Sequence, residues 1–391
     1  MILLDKPYIS DFLVETIKNN NWPIIESPQL NNIINTNRLK IISTEEAVSQ
    51  IQKDPTLLLY SNSENAIGWI EKNLPNNRIT EKIRIFKDKI AFRELIQPDY
   101  PEYFFKAVDV EEIEALDPDK LPFPFVIKPS VGFFSLAVHK IANSNEWMDA
   151  TNKLLKELAE TKLIFPVEVV NTTKFIIEAY IPGEEFAFDC YFDCHGKPVI
   201  LNILKHLFGS EKDVSDRVYI TSKQLIEQHL EAFTSYMQHI GNLANIKNFP
   251  CHVEVRIDED NAINPIEINP LRFGGLCTTA DLAMHAYGIN PYEYYFQQKI
   301  PNWQNLLKGK ENNTFALVIF DNSTGFMPEE IESFNYEGVI KRFSNPLELR
   351  KFDYHEYPLF GYLFCETKDP ELKELDAILR SDLREFVQLK D

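Results

Sequence analysis

Glycine is scarce in this sequence of 391 residues. The chain has 13 glycines, whereas average usage of about 7% would give roughly 27. Neither a G-x-G-x-x-G turn nor a G-x-x-x-x-G-K-S/T loop occurs anywhere. The two commonest phosphate-binding loops built from glycine are therefore excluded. If the protein binds a nucleotide, other groups must hold the phosphates.

Positive charge is also in short supply. The chain has 40 Lys and Arg residues against 59 Asp and Glu residues, which gives a formal net charge of -19. The electric field of such a protein repels duplex nucleic acid, so general DNA or RNA binding is excluded. A few local cations and a metal ion can still hold a small phosphorylated ligand.

The sequence lacks the usual signatures of secreted and membrane proteins. Its five cysteines are an odd number without C-x-x-C spacing, which predicts reduced thiols. The first residues contain no basic leader, and no run of about 18 apolar residues occurs. We therefore expect a cytoplasmic protein that does not associate with membranes.

The order of predicted elements divides the chain into three parts. Residues 1–85 alternate short apolar runs with helical patterns, which predicts a small α/β domain with a mostly parallel sheet. Residues 86–300 combine successive antiparallel strands with an amphipathic helix from Ser222 to Ala244. Residues 301–391 form a smaller α+β unit that ends in a charged helix from Pro370 to Leu389. The fold class is therefore α/β, with α+β character in the middle.

The most informative segment runs from His252 to Asn269. It reads as two alternating strands joined by a tight turn. If Asp258 lies opposite Ile263, the register places Glu254 directly across from Glu267. It also places His252 across from Asn269. Two facing carboxylates repel each other. A divalent cation such as Mg²⁺ relieves that repulsion, because it takes carboxylate and amide oxygens as ligands. An exposed acidic hairpin is the alternative.

The residues after this segment favour the metal site. Arg272 is followed by Gly274 and Gly275, the only adjacent glycines in the sequence. A guanidinium beside a metal-held phosphate stabilises charge on a transferring group. Paired glycines let a substrate approach the backbone closely.

Four segments together resemble the ATP-grasp superfamily, which includes D-alanine ligase, biotin carboxylase and many carboxylate-amine ligases. They are FVIKPS (125–130), IIEAYIPGEEF (176–186), HVEVRI (252–257) and EINPLRFGG (267–275). The resemblance covers about residues 85–295. It implies an ATP-grasp fold in which two antiparallel sheets enclose ATP. A pre-ATP-grasp domain would precede it, and a small C-terminal unit would follow.

The resemblance also implies the residues that contact the nucleotide. Lys128 would contact the α- and β-phosphates, and Lys89 resembles the family's earlier phosphate-side lysine. Glu178 would face the adenine amino group, while the backbone of Ala179 and Ile181 would read the adenine edge. Solvated lysines and the polar flank of a turn are the alternatives for the charged side chains.

Further roles follow from the same resemblance. Glu185 would accept the ribose hydroxyls. Lys205 follows an apolar predicted strand, and its position there predicts a contact with phosphate or substrate, with an exposed lysine as the alternative. Lys128 and Arg272 would be catalytic. Relatives commonly place the arginine directly after E-x-N-P, whereas Leu271 intervenes here. A bulge at Leu271 is then needed to keep Arg272 on the correct face. The implied magnesium ligands are Glu254, Glu267 and Asn269.

The function implied by the resemblance is an ATP-dependent, ADP-forming carboxylate-amine ligase. ATP would phosphorylate a small carboxylate or amino acid, and an amine would attack the acyl phosphate. The cofactors would be ATP and Mg²⁺, with Mn²⁺ as a substitute, and the protein would form a homodimer. The loop after Lys128 contains Phe133 and Phe134 where relatives carry glycines. A nucleotide-binding regulatory or scaffold protein without ligase activity therefore remains an alternative, as does a phosphotransferase.

Overall fold

The computed structural model describes residues 1–132, 137–161, 173–210, 213 and 215–390. Its contacts divide the chain into two compact units. The first unit consists of Met1–Gly183, Cys190–Val199 and Ser235–Cys277. The second unit consists of Glu184–Asp189, Ile200–Thr234 and Thr278–Asp391. The three-part division at residues 85 and 300 stays a prediction.

Helices and strands alternate at the start of the chain and occur in runs of the same type farther on. The strands are β1 (Ile2–Leu3), β2 (Ile24–Ile25), β3 (Ile41–Ile42), β4 (Tyr60–Ser61), β5 (Phe105–Asp109), β6 (Phe125–Pro129), β7 (His139–Ile141), β8 (Lys174–Ala179), β9 (Glu184–Phe192), β10 (Pro198–Ile200), β11 (Leu204–Leu207), β12 (Val218–Ser222), β13 (Phe249–Ile257), β14 (Ile263–Pro270), β15 (Thr314–Asp321), β16 (Ile331–Phe334), β17 (Asn345–Lys351), β18 (Leu359–Thr367) and β19 (Val387–Leu389). The helices are α1 (Asp11–Asn20), α2 (Leu30–Ile33), α3 (Thr44–Lys53), α4 (Ile67–Asn73), α5 (Arg78–Lys87), α6 (Lys89–Ile96), α7 (Trp147–Thr161), α8 (Lys223–Ala244), α9 (Thr278–Tyr287), α10 (Pro291–Phe296), α11 (Trp303–Leu306), α12 (Tyr336–Ile340) and α13 (Lys373–Leu379).

The first unit begins with a parallel sheet in the order β3-β2-β1-β4. Its strands are short and almost wholly buried, as expected where helices connect parallel strands. Side-chain caps begin the connecting helices: the hydroxyls of Ser10 and Ser43 accept hydrogen bonds from the first turns of α1 and α3. The predicted parallel α/β start is confirmed.

A single residue separates helices α5 and α6. Asp88 ends α5, and its carboxylate accepts a hydrogen bond from the Ile90 N–H at the start of α6. Its extended backbone interrupts the helical path, so Lys87 closes one helix and Lys89 opens the next. The junction therefore places one lysine on each side of the bend.

The first unit also contains an antiparallel sheet in the order β5-β8-β6-β7 and the antiparallel hairpin β13-β14. Helix α7 covers the sheet, and Trp147 at its start packs against Phe125 of β6 with ring centroids 6.0 Å apart. These apolar contacts hold β6 and β8, and with them Lys128 and Glu178, in one rigid layer.

The second unit is built on an antiparallel sheet in which β9, β11, β12, β15, β18 and β17 are successive neighbours. The predicted helix from Pro370 to Leu389 is wrong. Helix α13 ends at Leu379, and β19 pairs with β16 instead. Leu383 adopts a left-handed backbone (φ 61°), which is incompatible with a right-handed helix continuing through this residue. This turn lets Leu383 and Phe386 pack into the same apolar core as α13.

No helix within the described residues is both long and apolar enough to span a bilayer.

Candidate active site

The hairpin β13-β14 places Glu254 opposite Glu267, as the alternation predicts. The same register pairs His252 with Asn269. The predicted pairing of Asp258 with Ile263 is wrong by one residue, because Ile257 takes that place. The shift occurs between Glu254 and Val255 on β13 and between Pro265 and Glu267 on β14, where the register passes over Ile266. Because of this bulge the two carboxylates face each other, even though the turn end of the hairpin is displaced by one residue from the prediction.

Arg93 of α6 stabilises the bulge, and sequence reasoning missed this residue. Its Nη1 and Nη2 donate to the carbonyl oxygens of Pro265 (2.7 Å) and Ile266 (3.2 Å). Proline has no N–H, so it cannot complete the ladder at this point. The missed signal was spacing: Arg93 lies four residues after Lys89 and therefore shares its helix face.

Glu178 of β8 is buried between two cations. Its carboxylate accepts from Arg93 Nε at 2.7 Å and lies 2.6 Å from Lys128 Nζ. Burial alone would raise the pKa of Glu178, but the two cations lower it to about 2. Burial also lowers the pKa of Lys128, an effect that Glu178 opposes. The predicted contact between Glu178 and an adenine amino group would have to share this carboxylate with both cations.

Lys89 forms the second buried ion pair. Its Nζ lies 2.7 Å from Glu267 Oε2, and Asn269 Nδ2 donates to Glu267 Oε1 at 3.0 Å. Burial opposes ionisation of Glu267, yet Lys89 and Lys128 hold the pKa of its carboxyl well below the usual value. The structure thus brings together the predicted residues Lys89, Lys128, Glu267 and Asn269.

The donor set fits a hard divalent cation. Mg²⁺ in nucleotide sites needs only one or two protein carboxylates, because phosphate oxygens and water complete its shell. Glu254 and Glu267 face each other across the hairpin, and the Asn269 amide adjoins Glu267. Within the described chain, no three His, Cys, Asp or Glu side chains cluster as a metal site, so binding would depend on ligands from the nucleotide.

The chain changes direction at Leu271, directly before Arg272. Leu271 adopts a left-handed backbone (φ 65°), and its buried N–H donates to the Pro250 carbonyl at 2.8 Å. The Leu271 carbonyl accepts from the Ser61 N–H at 2.8 Å. The chain therefore turns at Leu271, and the Arg272 side chain reaches Glu64, with Nη2 and Oε1 2.5 Å apart.

Glu64 is a second residue that sequence reasoning missed. It is 6% exposed, and besides Arg272 it forms an ion pair with Lys87. Burial, with Arg272 and Lys89 nearby, lowers the pKa of Lys87 well below its usual value. No local pattern could have revealed Glu64, since it lies 208 residues from its partner Arg272.

The backbone from Ala179 to Ile181 is held from both sides. The Tyr103 hydroxyl donates to the Ala179 carbonyl at 2.8 Å, and Arg256 Nη1 donates to the Ile181 carbonyl at 2.7 Å. The Ala179 N–H donates to the Phe104 carbonyl oxygen at 2.9 Å. The adenine contacts predicted for this stretch would have to fit among these bonds.

Two predicted nucleotide-binding residues belong to the second unit. Glu185 Oε1 lies 2.8 Å from His206 Nδ1, and the other ring nitrogen of His206 lies 2.9 Å from the Ser215 carbonyl. Lys205 forms an ion pair with Glu184. The bulky loop predicted to differ from relatives includes residues 133–136, which lie outside the described part of the chain.

A family model described as an ATP-grasp domain matches residues 121–280. Over these residues the chain is similar to an ATP-grasp domain. The predicted resemblance and fold are confirmed. The matched segment includes Lys128, Glu178 and the hairpin with its carboxylates, whereas Glu64, Lys89 and Arg93 precede it. A comparison with curated protein sequences found no match.

Solved structures with similar folds extend over nearly the whole chain. An L-amino acid ligase from Bacillus licheniformis superimposes with a TM-score of 0.67 at 18% identity, covering 100% of this chain and 98% of its own. A biotin carboxylase from Campylobacter jejuni gives 0.63 at 12% identity, covering 100% and 91%. An N5-carboxyaminoimidazole ribonucleotide synthetase from Thermotoga maritima gives 0.62 at 13% identity, covering 99% and 98%. At these identities the likeness shows the fold.

Proposed function

We propose that the protein is an ATP-dependent, ADP-forming ligase that joins a small carboxylate or amino acid to an amine through an acyl phosphate. The observation that carries this proposal is the juxtaposition of Glu254 and Glu267 on facing strands, with Lys89 on Glu267 and Lys128 nearby. Such a set can hold a metal ion and a phosphate chain without a glycine loop.

The charge balance of this region supports an anionic ligand. Its buried cations are Lys87, Lys89, Arg93, Lys128 and Arg272. Its carboxylates are Glu64 and Glu178, which are buried, and Glu254 and Glu267, which are partly buried. Buried charge is costly unless it is compensated. A polyphosphate would supply negative charge to this cluster, in a protein whose overall charge is strongly negative.

Each side chain then has a defined task. Lys89 and Lys128 would bind phosphate oxygens, and Arg272 would stabilise negative charge on the transferred group. Glu254, Glu267 and Asn269 would hold Mg²⁺, which when bound neutralises phosphate charge. The remaining nucleotide contacts that rest on the family resemblance are Glu178, Ala179 and Ile181 for adenine and Glu185 for ribose. Lys205 would contact phosphate or substrate, as its position after an apolar run indicates.

Similar folds support the substrate class without identifying the substrate. One neighbour is named an L-amino acid ligase and another a ribonucleotide synthetase. Ligation needs positioning and charge neutralisation rather than a nucleophilic side chain, and the described site supplies lysines, an arginine and facing carboxylates.

The direct test is ADP release from Mg²⁺-ATP across a panel of carboxylates and amino acids, each with and without amines. Release only when both substrates are present would support ligation. Release with a carboxylate alone would favour a phosphotransferase. ATP binding without turnover across a broad panel would favour the regulatory or scaffold alternative.

Glu267→Gln tests the metal assignment. We expect turnover to fall by about 100-fold or more, the scale observed when one preorganised electrostatic group is removed from an active site. Thermal unfolding should show that the fold is retained. Glu259→Gln, at an exposed position in the turn of the same hairpin, is the matched control. Unchanged turnover in Glu267→Gln would remove the metal assignment.

A further inference from the structure

Glu64 lies outside every motif that identifies the domain, yet it contacts the proposed catalytic arginine. It opens a short 3-10 turn after the parallel strand β4, and Ser63 caps that turn. Its Oε1 accepts from Arg272 Nε at 3.2 Å and from Nη2 at 2.5 Å. Two donors of one guanidinium converging on one carboxylate fix the plane of the arginine as well as its distance.

The backbone beneath this ion pair is tied in the same place. The Ser61 N–H donates to the carbonyl of Leu271, the residue that directly precedes Arg272. Arg272 Nη1 donates to the Phe273 carbonyl at 2.9 Å. The backbone next to Arg272 and the guanidinium are therefore both held. The guanidinium is held by a side chain from the N-terminal parallel-sheet region.

Lys87 holds the other oxygen of the same carboxylate. It stands at the bend of Asp88, and Lys89 on the far side of that bend contacts Glu267. With both of its oxygens engaged and only 6% of its surface exposed, Glu64 has little freedom to rotate. A carboxylate clamped in this way provides a fixed reference for a long, flexible arginine side chain.

We propose that Glu64 is a positioning residue that aims the Arg272 guanidinium at the reacting group. This inference rests on the proposed function for its kinetic consequence, because Arg272 must act on that group. The orientation of Arg272 itself does not depend on the proposed function. A purely structural role for Glu64 would affect stability without a specific effect through Arg272.

Chemical modification of Arg272 tests the orientation in the full chain without any substrate. Glu64→Gln alone would leave two buried cations with no carboxylate and could unfold the protein. The informative comparison is therefore between K87M, which keeps the Glu64–Arg272 pair, and E64Q/K87M, which removes that pair and has the same net charge as the parent protein. Modification by phenylglyoxal would be followed by mass spectrometry of the Arg272 peptide.

We expect Arg272 to react roughly 10- to 100-fold faster in E64Q/K87M than in K87M, as the loss of a charged hydrogen-bonded partner implies. E64D, which retains the charge, should lie between the two. The exposed pair of Glu71 and Arg84 provides a control, since E71Q should leave Arg272 reactivity unchanged. Equal Arg272 reactivity in K87M and E64Q/K87M would overturn the proposal.

Kinetics separate positioning from a structural role. With Arg272 present, E64Q/K87M should have a kcat about 10-fold or more below that of K87M, with an unchanged KM for ATP. In an R272K background the same change should have little further effect, because the group being aimed is already altered. An equal fold-decrease in kcat with Arg272 and with R272K would contradict the positioning role. If the parent protein neither binds nor hydrolyses ATP, the proposed function fails, while the phenylglyoxal comparison still decides the orientation.

Discussion

Glu178→Gln tests whether the buried charge cluster is held together by its carboxylates. The substitution keeps the shape of the side chain but leaves Arg93 and Lys128 buried without their shared negative charge. Removing one partner from a buried ion pair costs about 3–5 kcal/mol. We expect this loss in the free energy of unfolding at pH 7. Glu178→Gln/Lys128→Met, which restores the charge balance, should recover at least about 1 kcal/mol of it.

The pH dependence provides an independent check on the same residue. The pKa of Glu178 is about 2 in the folded protein against an ordinary value of 4.5. A carboxyl with a depressed folded pKa contributes stability that is present above its unfolded pKa and is lost as the pH falls through the folded pKa. The difference corresponds to about 3 kcal/mol at neutral pH, of which about 2 kcal/mol is lost by pH 3. Glu178→Gln should lack this component of the acid-induced loss.

The measurement should report on the sheet that carries Glu178. Trp147 packs against Phe125 of that sheet and is buried. Its fluorescence during urea unfolding is therefore a local probe once the other tryptophans, Trp22, Trp69 and Trp303, have been replaced by phenylalanine. A Glu178→Gln variant within about 1 kcal/mol of its parent, with the same pH profile, would refute the reasoning.

Two further substitutions test the backbone and the core. Gly183 has φ +111°, and an added Cβ would lie 2.2 Å from the Ile257 carbonyl oxygen; Gly183→Ala should cost about 1–3 kcal/mol or more. Gly288→Ala, at φ +68° with open space around it, should cost only about 1 kcal/mol, and equal thermal midpoints for the two variants would contradict the steric argument. Phe334→Ala, at a buried position of the second unit, should cost about 3–5 kcal/mol in urea unfolding, whereas Met327→Ala, 63% exposed, should change stability by at most about 0.5 kcal/mol. Similar losses in these two variants would exclude a core role for Phe334.

Sequence patterns predicted the parts of the site that depend on local alternation. The period of two along each strand assigns Glu254 and Glu267 to their faces, but their direct pairing also depends on the bulge at Ile266, because the pairing of Ile257 with Ile263 alone would place Glu254 opposite Ile266. That bulge depends on Pro265 and on the capping of its carbonyl by Arg93. Alternation carries no information about such a bulge.

The residues that sequence reasoning missed are those defined by tertiary contacts. Glu64 meets Arg272 only because the parallel-sheet region and the end of β14 pack together. The C-terminal helix was overpredicted for a related reason. Charged residues from Pro370 onward are compatible with a helix, but the burial of Leu383 and Phe386 selects a turn and a short strand.

The bend at Asp88 limits how the length of the chain can vary. Asp88 is the single extended residue between α5 and α6, so one insertion or deletion between Lys87 and Lys89 would change the direction and the rotation of α6 relative to α5. Lys89 and Arg93 share one face of α6 and would turn away from Glu267 and Glu178 together. Homologues that retain both ion pairs should therefore align without gaps across this junction, while surface loops elsewhere can change in length.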